Sequence, residues 1–156
     1  MQLYVIAVGK RMPAWGREAY TEFNKRLPGE LRLKLVEIPP VTRGKTVSRA
    51  KITAEEDRRI RAAIPADSRV IVLDEKGSQF DSRSLAKKIS SWQQQGLKIS
   101  FIIGGADGLH ESIKKSADLV WSLSSLTLPH ALVRVIVAEQ IYRAWTIHNN
   151  HPYHRE

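Results

Sequence analysis

The chain has no cysteine in its 156 residues. That excludes disulfides, thiolate zinc sites, iron–sulfur clusters and cysteine nucleophiles, and it suits a cytoplasmic protein. Long apolar runs are missing as well. Nothing approaches the roughly 18 consecutive apolar residues of a membrane-spanning helix. The opening Met1-Gln-Leu-Tyr-Val-Ile-Ala-Val-Gly9 lacks a basic n-region and a small-residue cleavage site, so it reads as a first strand and not as a signal peptide. Glycine signatures for nucleotides are also lacking. Arg43-Gly-Lys-Thr46 would need a glycine at position 39 to form a phosphate loop, and Pro39 stands there. No Gly-x-Gly-x-x-Gly follows a strand, and no Gly-x-Ser-x-Gly elbow surrounds the serines.

Negative charge is scarce: 25 lysines and arginines face 16 aspartates and glutamates, for a net charge of +9. The positive residues cluster at Lys10-Arg11, Arg43-Gly-Lys45, Arg49-Ala-Lys51, Arg58-Arg59-Ile-Arg61, Lys87-Lys88 and Lys114-Lys115. A basic domain patterned this way is expected to meet a polyanion, with nucleic acid ahead of an inert basic surface. An acidic membrane fits less well, because no helix joins a basic face to exposed Trp or Phe.

The length suits one domain, residues 1–156, and 42% hydrophobic residues allow a substantial core. Strands are expected over 2–9, 31–38, 69–74, 99–103 and 119–123. Helices are expected over 13–27, 48–63, 83–95, roughly 110–117, and from Pro129 to about Ile147. In the first helix Trp15, Ala19, Phe23 and Leu27 recur at helical spacing, and Asp81 or Ser82 can cap the third. Residues 41–47 form a basic loop, and Gly77 falls in a loop after the third strand. Strands alternating with helices predict an α/β fold, a parallel sheet with helices on both faces. Open sheets of this kind bind ligands beyond the carboxyl ends of their strands. That points to Leu73-Asp74, Gly104-Gly105 and the segment after Leu123.

Three segments carry chemistry. In Ile102-Ile-Gly-Gly-Ala-Asp-Gly108, glycines directly after a buried strand let backbone approach a ligand closely, or else make an ordinary turn. In Ser122-Leu-Ser-Ser-Leu-Thr-Leu-Pro-His130, leucines can wall an apolar slot while backbone groups read a base edge, or else plug the core. The tail Asn150-His-Pro-Tyr-His-Arg-Glu156 groups a stacking ring, Tyr153, with His154 and Arg155, which suit proton handling and phosphate. His148, His151 and His154 are spaced three apart, but Pro152 breaks helical geometry and no metal is expected. The last helix is apolar on more than one face, so it is either central in the domain or partly buried by a second subunit; in so short a chain a homodimer is favoured, with Arg134, Glu139 and Arg143 near the interface.

These segments, with Val72-Leu-Asp74, Val8-Gly9, Met12-Pro13, Glu37-Ile-Pro39 and Arg43-Gly-Lys45, resemble the bacterial ribosomal RNA large-subunit methyltransferase H family of the SPOUT class over the whole chain. The resemblance implies a parallel α/β sheet with a C-terminal trefoil knot, a homodimer, and S-adenosyl-L-methionine held in the knotted loops. It implies methylation at N3 of a pseudouridine of 23S rRNA on the assembled ribosome. By position, Leu73, Gly104, Gly105, Leu123, Ser124, Ser125, Leu126, Thr127 and Leu128 match the family's cofactor contacts. Tyr153, His154 and Arg155 match the part that reaches the target base.

The absent cysteine bears on the chemistry independently. Methylation at C5 of pyrimidines uses a cysteine adduct, and inert carbons often call for an iron–sulfur cluster. A methyltransferase of this composition is expected to act on nitrogen or oxygen. The competing reading is a non-catalytic RNA-binding factor on the same fold.

Overall fold

In a computed structural model the structure describes residues 1–9 and 12–155. The Lys10-Arg11 cluster and Glu156 lie outside them. Five parallel strands form one sheet in the order β2-β1-β4-β3-β5. They are β1 (Gln2–Val8), β2 (Leu33–Ile38), β3 (Ser68–Ser78), β4 (Lys98–Ile103) and β5 (Leu119–Trp121), and the helices are α1 (Ala14–Arg26), α2 (Arg49–Ala63), α3 (Ser82–Gln94), α4 (Glu111–Ser116) and α5 (His130–His148).

Period-two alternation sorts the strand side chains onto two faces. Leu3, Val5 and Ala7 of β1, with Ile99, Phe101 and Ile103 of β4, join Tyr20 of α1, Leu85, Ile89 and Trp92 of α3, and Val137 and Ile141 of α5 in one core. The alternate residues Ile6, Val8 and Ile102 join Ile60 of α2 and Ile113 of α4 in the other. Helices therefore cover both faces, as the alternating elements require. The caps follow from sequence. The Asp81 carboxylate accepts from the Ser84 amide and Ser48 caps α2, each satisfying an otherwise unbonded first-turn N–H. His110 does the same for α4 through Nδ1.

Along α1, Trp15 is 55% exposed while Gly16 and Tyr20 are buried. Two expectations are corrected. Gly77 is in a strand and not a loop. β3 continues past an irregularity between Leu73 and Ser78, and both residues pair with Trp121. A side chain at Gly77 would lie 2.6 Å from the Val120 carbonyl oxygen, so only glycine lets these backbones meet. Finally, Arg134 supplies no outer surface. It is fully buried within its own chain, with one guanidinium nitrogen 2.9 Å from the Glu37 carboxylate and another 3.5 Å from the Gly9 carbonyl oxygen. A buried guanidinium needs such a partner to offset lost hydration.

Candidate active site

The carboxyl ends of β3, β4 and β5 open into a cleft of about 660 Å³. β3 contributes Leu73, Asp74 and Glu75. The turn after β4 contributes Gly104, Gly105 and Leu109. The segment after β5 contributes Leu123, Ser124, Leu126, Thr127 and Leu128, and the start of α5 contributes Pro129, His130 and Val133. Of the residues singled out from sequence for the cofactor, all but Ser125 line this cleft.

Two local conformations shape it. The Gly108 amide donates to the Gly105 carbonyl at 3.1 Å, folding the glycine segment into a turn. A side chain at Gly104 would meet Leu109 Cγ at 2.8 Å and the Gly108 backbone at 3.0 Å, so the turn closes only over a bare backbone. On the opposite wall the buried Ser122 hydroxyl reaches the carbonyls of Glu75 and Ser124, and the Leu126 amide donates to Ser124 Oγ at 3.0 Å. The Thr127 hydroxyl donates to the Glu75 carboxylate. These bonds curl the segment into a bend in which Leu126 is 69% exposed, while Leu123 packs against the core. The cleft thus combines apolar walls with a side-chain-free glycine backbone and a few polar groups, the usual make-up of a small-molecule site.

Charge is mixed. Lys114 Nζ lies 2.7 Å from Asp74 and 3.4 Å from Glu111. Burial alone would raise the Asp74 carboxyl, but the Lys114 bond and the Lys76 amide together hold it below its usual range. His130 is pushed down, first by desolvation and then by the Arg134 charge, so its imidazole stays neutral near pH 7. At the rim, Arg43 forks onto the Asp107 carboxylate at 2.7 and 3.1 Å. Arg49 donates to the Asp107 carbonyl at 3.0 Å. The basic loop is thereby tied to the glycine turn.

The tail sits elsewhere. After α5 the chain folds back, with the His151 amide on the Thr146 carbonyl at 2.9 Å, into a 3-10 turn over Pro152–His154. The Tyr153 hydroxyl donates to Glu139 at 2.9 Å, the Arg143 guanidinium lies 5.1 Å from the Tyr153 ring centroid, and Tyr142 packs against the same ring. His154 is half-buried, its Nδ1 without a partner among the described residues, and Arg155 is exposed. None of the three lines the cleft, which lies at the other end of α5. Among the described residues no three His, Asp or Glu side chains converge in a metal-binding group, and no helix is long and apolar enough to cross a membrane.

Sequence reasoning passed over Glu75, Lys114 and His130. Lys114 had been counted only in a basic cluster and His130 only as a helix start. The pairing of Thr127 with Glu75 spans 52 residues and leaves no local signal.

A family model described as "Predicted SPOUT methyltransferase" matches residues 1–154. The chain is 50% identical, over all of both sequences, to the ribosomal RNA large subunit methyltransferases H of Thioalkalivibrio sulfidiphilus and Hydrogenovibrio crunogenus. It is 48% identical to that of Paraburkholderia phymatum over 99% of each. Among solved structures, a methylase-family protein from Haemophilus influenzae Rd KW20 superposes with a TM-score of 0.55 at 15% identity, over 99% of this chain and 70% of the other, a likeness of fold.

Proposed function

The chain belongs to the SPOUT methyltransferase family, and from that premise we propose that it is an S-adenosylmethionine-dependent methyltransferase of 23S rRNA, acting at N3 of a pseudouridine on the assembled ribosome. The observation that carries this reading is the cleft at the strand ends, closed by a glycine turn with no room for a side chain and faced by a leucine-bearing bend. A pure RNA binder has no use for such a cleft. Full-length identity to named rRNA methyltransferases supports the substrate class.

The residues present fit the cofactor. Leu73, Leu109, Leu126 and Leu128 offer apolar contact to an adenosyl group. The backbones of Gly104, Gly105 and the 123–128 bend offer donors and acceptors, and the carboxylates of Asp74, Glu75 and Glu111 oppose a cationic ligand. When bound, S-adenosylmethionine supplies a methyl made electrophilic by its sulfonium. Transfer is an in-line displacement: the C–S bond breaks as the N–C bond forms, leaving a neutral thioether. It needs alignment and exclusion of water, and no metal.

N3 of pseudouridine carries an imide proton that must leave before or during attack. Arg155 stabilises the developing anion, with His154 or Tyr153 assisting proton loss. Because one chain holds its tail a helix-length from its own cleft, the tail of a neighbouring copy completes each site. The half-exposed apolar residues Leu132, Val135 and Ile136 of α5 suit that homodimer. The C-terminal knot and a cytoplasmic location belong to the same reading, and the +9 charge favours rRNA.

The test has two arms. Calorimetry should show S-adenosylmethionine binding, with competition by its demethylated product. Mass spectrometry of rRNA from cells lacking the protein should show one unmethylated pseudouridine. An unchanged rRNA methylation profile refutes the substrate, and no cofactor binding refutes the enzyme.

A further inference from the structure

We propose that Tyr153 is a positioning residue whose hydroxyl, bonded to Glu139, clamps the tail onto α5 and presents His154 and Arg155, while its ring does not stack on the target base. The proposal rests on the methyltransferase reading above and narrows the roles within the tail.

Every part of Tyr153 already has a partner on its own chain. The hydroxyl donates to Glu139 Oε1 at 2.9 Å. One face of the ring is near the Arg143 guanidinium, 5.1 Å from the ring centroid. The Tyr142 ring centroid lies 4.7 Å away at 58°. The clamp is itself braced, because Arg143 pairs with Glu139 at 2.8 Å and Glu139 is also held by the Gln140 amide at 2.7 Å. The ring is thus already packed against its own helix by Tyr142 and Arg143 and held there through Glu139. Burial first, and the Glu139 carboxylate second, push the Tyr153 phenol up, so it keeps its proton and makes a poor base.

The two following residues are placed differently. His154 has an Nδ1 without a partner among the described residues, and Arg155 is exposed. The residue spacing that invites stacking by Tyr153 therefore serves anchoring: one clamped ring, then a half-buried His154 and an exposed Arg155 with capacity left for substrate. Glu139 becomes part of the machinery although it lies 14 residues upstream.

The experiment uses the full-length protein with ribosomal substrate and the variants Y153F, E139A and their double. A hydroxyl bonded to a charged acceptor is worth roughly tenfold or more. Turnover is expected to fall about tenfold in Y153F and at least as far in E139A, with the double no worse than E139A alone. Cofactor affinity should be unchanged in all three, which a general loss of structure would not allow. Hydrogen exchange over residues 149–155 should quicken in Y153F. Stacking on a base needs only the ring, so wild-type turnover in Y153F overturns the proposal, as does unaltered tail exchange in that variant. Failure of the wild-type protein to methylate any rRNA would instead sink the functional reading. The exchange measurement would still decide the clamp.

Discussion

Lys114 Nζ sits 2.7 Å from Asp74 Oδ2 across the floor of the cleft, tying α4 to the end of β3. Both side chains are mostly shielded, at 24% and 14% exposed. D74N should therefore lower stability by about 1 kcal/mol. The pH dependence follows from the depressed Asp74 carboxyl. The folded state binds its proton less readily than the unfolded chain, so the contribution is complete above the unfolded carboxylate pKa of about 4 and drains away as pH falls through the lower folded value. Urea unfolding should show the D74N deficit at neutral pH and its disappearance in strong acid. A deficit that persists there would contradict the assignment.

Gly104 should tolerate no side chain. A methyl there would lie 2.8 Å from Leu109 and 3.0 Å from the Gly108 backbone, forcing the turn open. G104A is expected to weaken S-adenosylmethionine binding at least tenfold by calorimetry, while G29A, where a side chain meets nothing within 4 Å, should bind like the wild type. Equal affinities in the two variants would show that the turn does not shape the site.

The buried Arg134–Glu37 pair predicts an asymmetry. E37A leaves a fully buried guanidinium facing only the Gly9 carbonyl and should cost about 3 kcal/mol, moderated by the partial exposure of Glu37. R134M removes the buried charge and leaves only the partly exposed Glu37 carboxylate unpaired, so it should cost less. Thermal or urea unfolding of both variants measures the order, and the reverse order would argue that Arg134 serves chiefly through packing.

His130 titrates below its ordinary value because of desolvation first and Arg134 second. Since the folded state resists protonation, His130 lowers stability as pH falls below the unfolded imidazole pKa of about 6.5. Relieving the charge with R134M should move the His130 ring resonances upward in pH in an NMR titration. An unmoved midpoint would assign the depression to burial alone.

Much of this molecule can be read from its residues, for identifiable reasons. Val70 to Leu73 is a continuous apolar run and Ile99 to Ile103 is apolar but for Ser100, the pattern of a doubly covered parallel strand. Where such strands end, Leu73 and Gly104 stand at the carboxyl edge of the sheet, lining the cleft that opens there. The bend over 123–128 reads as a site because leucines alternate with hydroxyls. Trp15, 55% exposed, shows that large apolar residues at helical spacing look alike whether or not a neighbour covers them. Lys114 and Glu75 stayed hidden because each acts through a partner far away in the chain. Tyr153 shows the sharpest limit: an aromatic residue before a basic pair has one appearance in sequence, whether its ring meets a nucleobase or its own helix.

Helix α5 works as a ruler. Its 19 residues span about 28 Å, with His130 at the cleft and His148 leading into the tail. Neither half of the chemistry can slide toward the other, because Val137 and Ile141 lock the rod into the core between them. Damage at the two ends should then be separable by genetics. On the homodimer proposed above, a subunit crippled by G104A and one crippled at Arg155, each inert alone, should regain activity once co-expressed, because a mixed pair would hold one intact cleft opposite one intact tail.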